Sequence, residues 1–368
     1  MLALVSAMDL LHHGFKLNTW GVYKGAFIMT STFTKFLKIG TGIIGVSLIA
    51  ACTHTPNPTH TTKNTASDIA VMTYQNGKSK TWAAIPDISG MAPVAADTYL
   101  VVHDAKGHRP NRPRIGLVKI NREKEKLAYT KLSFANPPTP VTSDLEAICR
   151  LPGKDEFLIT ESNYWKGDYG RVFHIKLNGD NVSILKSIQL PDIADDFEGM
   201  ACAPKANDDV LVILGQRGGK NNSTDINARN GALRFAIYNP MSLAFKMTDK
   251  IVPIHAPNVW QDKNLREITG LSIGADNTLW ASAAIDLDND LGPFRSLVYN
   301  LGTIYPNAVT PVIETRTHNI WIMDGIKIEA VTAGLDGKSP SYGSEDEKLG
   351  GIWRELPKQP TLVRPTTK

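Results

Sequence analysis

The chain has 368 residues, is 42% hydrophobic and 21% charged, and carries a net charge of +4. Residues 1–51 hold +3 of that (Lys16, Lys24, Lys35 and Lys38 against Asp9), so the remainder is close to neutral. A near-neutral body excludes the broad basic surface that nucleic acid requires, while its apolar content suffices for a sizeable core.

The first segments read as an address. Residues 1–28 are expected to be an upstream start-site extension, because Met29 opens a more convincing beginning. Lys35 and Lys38 then form a positive n-region, and residues 39–51 are an apolar stretch too short to span a bilayer. The stretch ends Leu48-Ile-Ala-Ala-Cys52, which resembles the lipobox of bacterial lipoproteins. The resemblance implies cleavage before Cys52, acylation of its thiol and anchoring to a membrane. With Thr rather than Asp at position 53, it implies an outer-membrane destination facing the periplasm. Gly40-Thr-Gly-Ile-Ile-Gly45 matches a dinucleotide loop literally, but no strand precedes it, so that reading is rejected. Residues 52–67, rich in Thr, Pro and Asn, have little to bury and are expected to be a disordered tether.

Residues 68–357 are short apolar runs broken by Gly, Pro, Asn and Asp, with a tail at 358–368. Regular turn signals between short strands indicate an all-β domain. One five-residue pattern recurs: Asp87-Ile-Ser-Gly-Met, Asp144-Leu-Glu-Ala-Ile, Asp196-Phe-Glu-Gly-Met, Glu267-Ile-Thr-Gly-Leu and Lys327-Ile-Glu-Ala-Val. The copies begin at 87, 144, 196, 267 and 327, and most are followed by three further strand-like runs. A period of this length with four strands per unit predicts a β-propeller of five blades, or six if one blade lacks the motif. The pattern is read as each blade's innermost strand. Its first and third positions share one strand face and should line the central channel. Its small fourth residue suits strands that converge on an axis. Lys80–Ile85 is expected to close the ring from the N-terminal side. Cys149 and Cys202 lie three and four residues past the central Glu of their copies. Alternation along a strand predicts that the two thiols point opposite ways, leaving them unpaired.

Taken together, Leu214-Gly-Gln-Arg-Gly218, Gly231-Ala-Leu-Arg234, Leu279-Trp-Ala281, Asp286-Leu-Asp-Asn-Asp-Leu-Gly-Pro-Phe-Arg295 and Lys327-Ile-Glu-Ala330 resemble a bacterial propeller family of unknown function. That family is similar in turn to the phytase-like esterase propellers. The resemblance spans residues 85 to 356 and implies the fold; it brings no assigned activity. Ser89, Thr269 and Gln216 depart from the family pattern.

Four groups could carry chemistry. Glu146, Glu198 and Glu329, with Glu161, Glu345 and Asp346, could offer oxygen ligands to Ca2+ or Mg2+, or form a structural network of ion pairs and backbone hydrogen bonds. Arg217 could hold a phosphate or carboxylate, or neutralise the Glu ring. Asp286-Leu-Asp-Asn-Asp290 could be an irregular calcium loop; Leu291 and Leu297 exclude an EF-hand. His103 and Asp104 could supply a general base, or be a turn pair. No nucleophile elbow outside the leader, zinc-protease helix or C-x-x-C motif is present. Two functions follow. One is a divalent-cation-dependent esterase or phosphoesterase at the mouth of the channel. The other is a non-catalytic propeller that binds a small molecule or an envelope protein through an aromatic patch drawn from Tyr164, Trp165, Tyr169 or Trp260.

Overall fold

The structure, a computed structural model, describes residues 74–75, 82–83, 85–106, 111–121, 123–124, 126–162, 169–191, 197–219, 230–287, 292–308, 312–314, 319–334, 340–346 and 350–357. The leader, Cys52, the tether, the tail, Asp196, residues 288–290, Tyr164 and Trp165 lie outside them.

The domain is an all-β, five-bladed propeller. Each copy of the repeat opens one sheet. The innermost strands are Gly90–Ala95, Leu145–Arg150, Phe197–Pro204, Leu265–Ile273 and Ile328–Thr332, for blades 1 to 5. Every sheet then runs outward by antiparallel neighbours in chain order, as short hairpin loops require. The second strands are Thr98–Val102, Glu156–Glu161, Val210–Gln216, Thr278–Ile285 and Ser341–Ser344. Blade 2 gains a parallel outer strand, Ser133–Phe134, from the preceding linker. In blade 4, Val312–Glu314 and Ile320–Asp324 both pair with Arg295–Ile304. Among the described residues the fifth blade has three strands, ending at Trp353–Glu355. The N-terminal segment closes the ring there: Ile85 forms an antiparallel bridge with Gly351. Within the segment expected to do this, Trp82–Ala83 pairs instead with Tyr74–Gln75.

The five hydrophobic clusters correspond to the five interfaces between neighbouring blades. Alternate residues of one inner strand serve opposite interfaces: Ile148 packs toward blade 1, and Ala147 and Cys149 toward blade 3. The small fourth position of the repeat keeps these strands close. A Cβ on Gly90 would lie 2.8 Å from the carbonyl oxygen of Glu146, and one on Gly270 would lie 2.8 Å from that of Glu329.

This geometry corrects the expectation for the cysteines. Cys149 and Cys202 form a disulfide, with Cα atoms 5.6 Å apart. Opposite parity is what brings them together. Two adjacent sheets meet through opposite faces, so the third residue past Glu in one blade faces the fourth residue past Glu in the next.

Candidate functional site

The repeats hold their acids at the axis by a device that simple alternation does not foresee. Each of three glutamates sits at a β-bulge. In blade 2, Leu145 pairs with Glu161 and Ala147 with Thr160, leaving Glu146 unopposed. Glu198 is skipped in the same way between Phe197 and Gly199, and Glu329 between Ile328 and Ala330. In blade 4, residues 267–269 stand against a single partner residue. An extra residue on one strand bends it and re-aims its side chain. Asp144 adopts φ 59°, a conformation that Asp tolerates better than most residues.

A second tier comes from the ends of the second strands, which lie beside the starts of the inner ones. It consists of Asp104, Glu161, Arg217, Asp286 and Glu345. Two of these, Asp104 and Glu345, join the repeat residues in one hub. Ligand-capable oxygens of Glu146, Glu329 and Glu345 lie within 4.8 Å of one another, and so do those of Asp104, Asp144 and Glu146. Glu146 thus belongs to both triads. Glu198 lies close enough to repel it, and Glu198 is itself bound by Arg217 Nη1 at 3.0 Å.

The cations of the hub are placed unevenly. Lys106 Nζ lies 2.8 Å from Asp104 and also donates to Asp144. Lys327 Nζ lies 2.9 Å from Glu329 and 3.2 Å from Asp286, which Arg266 Nη1 also reaches at 2.9 Å. The Glu146 side chain is different. The residue is 6% exposed, and among the described residues no hydrogen bond or ion pair reaches its carboxylate. Burial, and then the charges of Glu198, Asp144 and Asp104, push its pKa well up. Glu345 accepts a hydrogen bond from the Ser89 hydroxyl at 3.2 Å. Burial and the neighbouring Glu329 raise it strongly as well. Burial works against the charge on Glu329, but Lys327 outweighs it and holds that carboxyl at about 2. Asp104 is raised to about 7 by burial and by Asp144. A carboxylate without a donor, flanked by other carboxylates, binds either a proton or a cation.

Other candidates are bound up in structure. Glu161 accepts from Arg171 Nε at 2.7 Å, Arg171 Nη2 at 2.8 Å and the backbone N–H of Ser143 at 2.8 Å, forming a buried clamp. His103 donates from Nδ1 to the carbonyl of Asp87 and accepts the Tyr129 hydroxyl at Nε2, 2.9 Å away. Its burial lowers the pKa to about 4, so it is neutral near pH 7. Asp346 accepts the Lys327 N–H at 2.8 Å and the Ser344 hydroxyl at 2.6 Å. The Thr269 hydroxyl donates to the carbonyl of Ile328 at 2.6 Å. Of the possible calcium loop, Asp286 turns into the hub, onto Arg266 and Lys327. Of the possible aromatic patch, Trp260 packs against the core between blades 3 and 4, and the Tyr169 ring lies 5.7 Å from the Arg171 guanidinium. Sequence reasoning missed Lys106; its position just past His103-Asp104 was the available signal.

At the other end of the inner strands, Met91, Ile148, Met200, Leu271 and Thr332 help line a pocket of about 90 Å³. The Cys149–Cys202 disulfide forms part of its wall.

No protein-family model and no curated protein matches this chain. Similar solved structures include one from a mannoside phosphorylase family containing glycoside hydrolases that target β-1,2-mannosidic linkages in Candida mannan. It is 9% identical, with a TM-score of 0.48, covering 82% of this chain and 95% of that one. An exo-1,5-α-L-arabinanase from a bovine ruminal metagenomic library is 8% identical, with a TM-score of 0.44, covering 77% and 95%. A mutant α-L-arabinanase from Cellvibrio cellulosa is 12% identical, with a TM-score of 0.45, covering 74% and 92%. At these scores the likenesses say nothing about chemistry, and the fold rests on the sheets described above.

Proposed function

We propose that this protein is a lipid-anchored propeller of the bacterial cell envelope that binds a divalent cation at the acidic end of its channel and hydrolyses an ester or phosphoester there. The observation that carries the reading is Glu146, a buried carboxylate with no donor among the described residues, facing Glu329 and Glu345 across less than 4.8 Å. Three carboxylates against the single ammonium of Lys327 leave a double negative charge, which suits an oxygen-seeking ion such as Ca2+ or Mg2+. Such an ion supplies Lewis-acid polarisation of an acyl or phosphoryl oxygen and a lowered pKa for water. The chain's own residues hold and shape the site. Lys327 keeps Glu329 ionised, Ser89 orients Glu345, and Arg217 sets Glu198 at the edge with a guanidinium that is partly exposed. Asp104, at a pKa of about 7, can take or give a proton near neutral pH.

The envelope reading rests on the lipobox at Cys52, through which the protein would meet the outer membrane, and it gains support from the Cys149–Cys202 disulfide. Such bonds persist in oxidising compartments such as the periplasm.

A second reading, a propeller that binds a small molecule or an envelope protein without chemistry, is favoured by the commitment of both His103 nitrogens to structural hydrogen bonds. One experiment separates the two. Purified protein is analysed for bound metal, and release of phosphate and nitrophenol from model esters is followed with and without chelator. Chelator-sensitive turnover supports hydrolysis. Bound cation without turnover leaves the binding propeller, and absence of any bound cation overturns the site.

A further inference from the structure

We infer that the Lys106 ammonium occupies the second cation position of a two-site carboxylate cluster, so that the hub takes one divalent ion where its acids are arranged for two. This rests on the cation reading above and assigns Lys106 the role of fixing its stoichiometry.

The two triads share one member. Asp104, Asp144 and Glu146 form one set, and Glu146, Glu329 and Glu345 the other, each with its oxygens within 4.8 Å. A carboxylate common to two sets of oxygen ligands is the arrangement that bridges paired cations about 4 Å apart. An ammonium reaches each set, but Lys106 bonds two members of the first, whereas Lys327 is shared between Glu329 of the second and Asp286 outside it. The turn after the second strand of blade 1, in which the Ala105 N–H donates to the His103 carbonyl at 2.7 Å, carries Asp104 and Lys106 together into the hub. There Lys106 Nζ bonds both aspartates of the first triad. Burial opposes its charge, and Glu146, Asp144 and Asp104 outweigh that, so the side chain stays an ammonium. In the second triad, Lys327 stands to one side, bonded to Glu329 and shared with Asp286.

The consequence is specific. The ammonium brings one positive charge to a place where a divalent ion would bring two. Removing it leaves Asp104, Asp144 and the shared Glu146 with no counter-charge. That set then has the ligand type, the spacing and the charge to recruit an ion of its own.

The test is equilibrium dialysis of the full-length protein against Ca2+, counting ions per chain. The wild type is expected to bind one, Lys106→Met two, Lys106→Met combined with Asp104→Asn one, and Glu146→Gln none. One ion in both the wild type and Lys106→Met overturns this inference and leaves the cation site standing. Two in the wild type also overturns it. None in the wild type removes the cation site and this inference with it. If Lys106→Met unfolds in chelator, added Ca2+ must restore its melting transition, because the ion takes the ammonium's place; failure to restore it counts against the proposal.

Discussion

Replacing Glu146 by Gln changes almost no volume and removes one charge from the hub. Burial and its acidic neighbours push the Glu146 pKa well above the ordinary 4.5, so folding disfavours its ionised form. A carboxyl whose folded pKa lies above its unfolded value destabilises the fold once pH passes the unfolded value. Because the folded pKa is the higher one, this penalty is absent below about pH 4.5 and grows as pH rises toward the folded value. Glu146→Gln should therefore stabilise the chelated protein at pH 7 and leave it unchanged at pH 4. The gain should read as a rise in Tm at pH 7. Calcium should offset that difference. At a hundredfold excess over Kd it adds about 2.7 kcal/mol to the wild type and nothing to the variant. The assay is urea or thermal unfolding at pH 4, 5.5 and 7, in chelator and in calcium. If Glu146→Gln is destabilised by more than about 1 kcal/mol at pH 7 in chelator, the carboxylate has a satisfied structural role. The reasoning about the hub would then be refuted.

Three further outcomes are expected. Converting both Cys149 and Cys202 to Ser releases a loop of 53 residues and should cost about 4 kcal/mol by the chain-entropy estimate, read from denaturant midpoints under non-reducing conditions. An unchanged midpoint would mean that the bond adds nothing to folding. His103, neutral and buried with a pKa lowered from 6.5 to about 4, binds fewer protons than the unfolded chain between those values. Stability should fall by about 3 kcal/mol as pH drops from 6.5 to 4, and His103→Gln should flatten that limb of the stability curve even while lowering its plateau. Arg171→Leu leaves the Glu161 carboxylate buried without its guanidinium and should cost 3 to 5 kcal/mol, roughly, in unfolding free energy. Calcium stoichiometry should be unchanged by it, since the Glu161 clamp lies outside the two triads.

How much of this was legible in the residues varies with the kind of interaction. The repeated pattern marks the inner strand of every blade, because a strand converging on an axis needs an apolar second residue and a small fourth one. Gly90 and Gly270 show why: a Cβ on either would run into the backbone of the next blade. The pairing of Cys149 with Cys202 was misread, because parity counted along one strand ignores that neighbouring sheets present opposite faces. The sorting of the acids was also beyond the sequence. Glu146, Glu161 and Glu329 are chemically alike there, yet one has no donor among the described residues, one is clamped by Arg171 and one is paired with Lys327.

The sequence by itself determined the propeller, its repeat and the polar residues available to the axis, since these follow from local periodicity and side-chain size. Only the tertiary structure decided which carboxylates meet and which cations neutralise them. A bulge of one residue re-aims a side chain, and the carboxylates that then meet, Glu146 with Glu329 and Glu345, come from blades far apart in the chain.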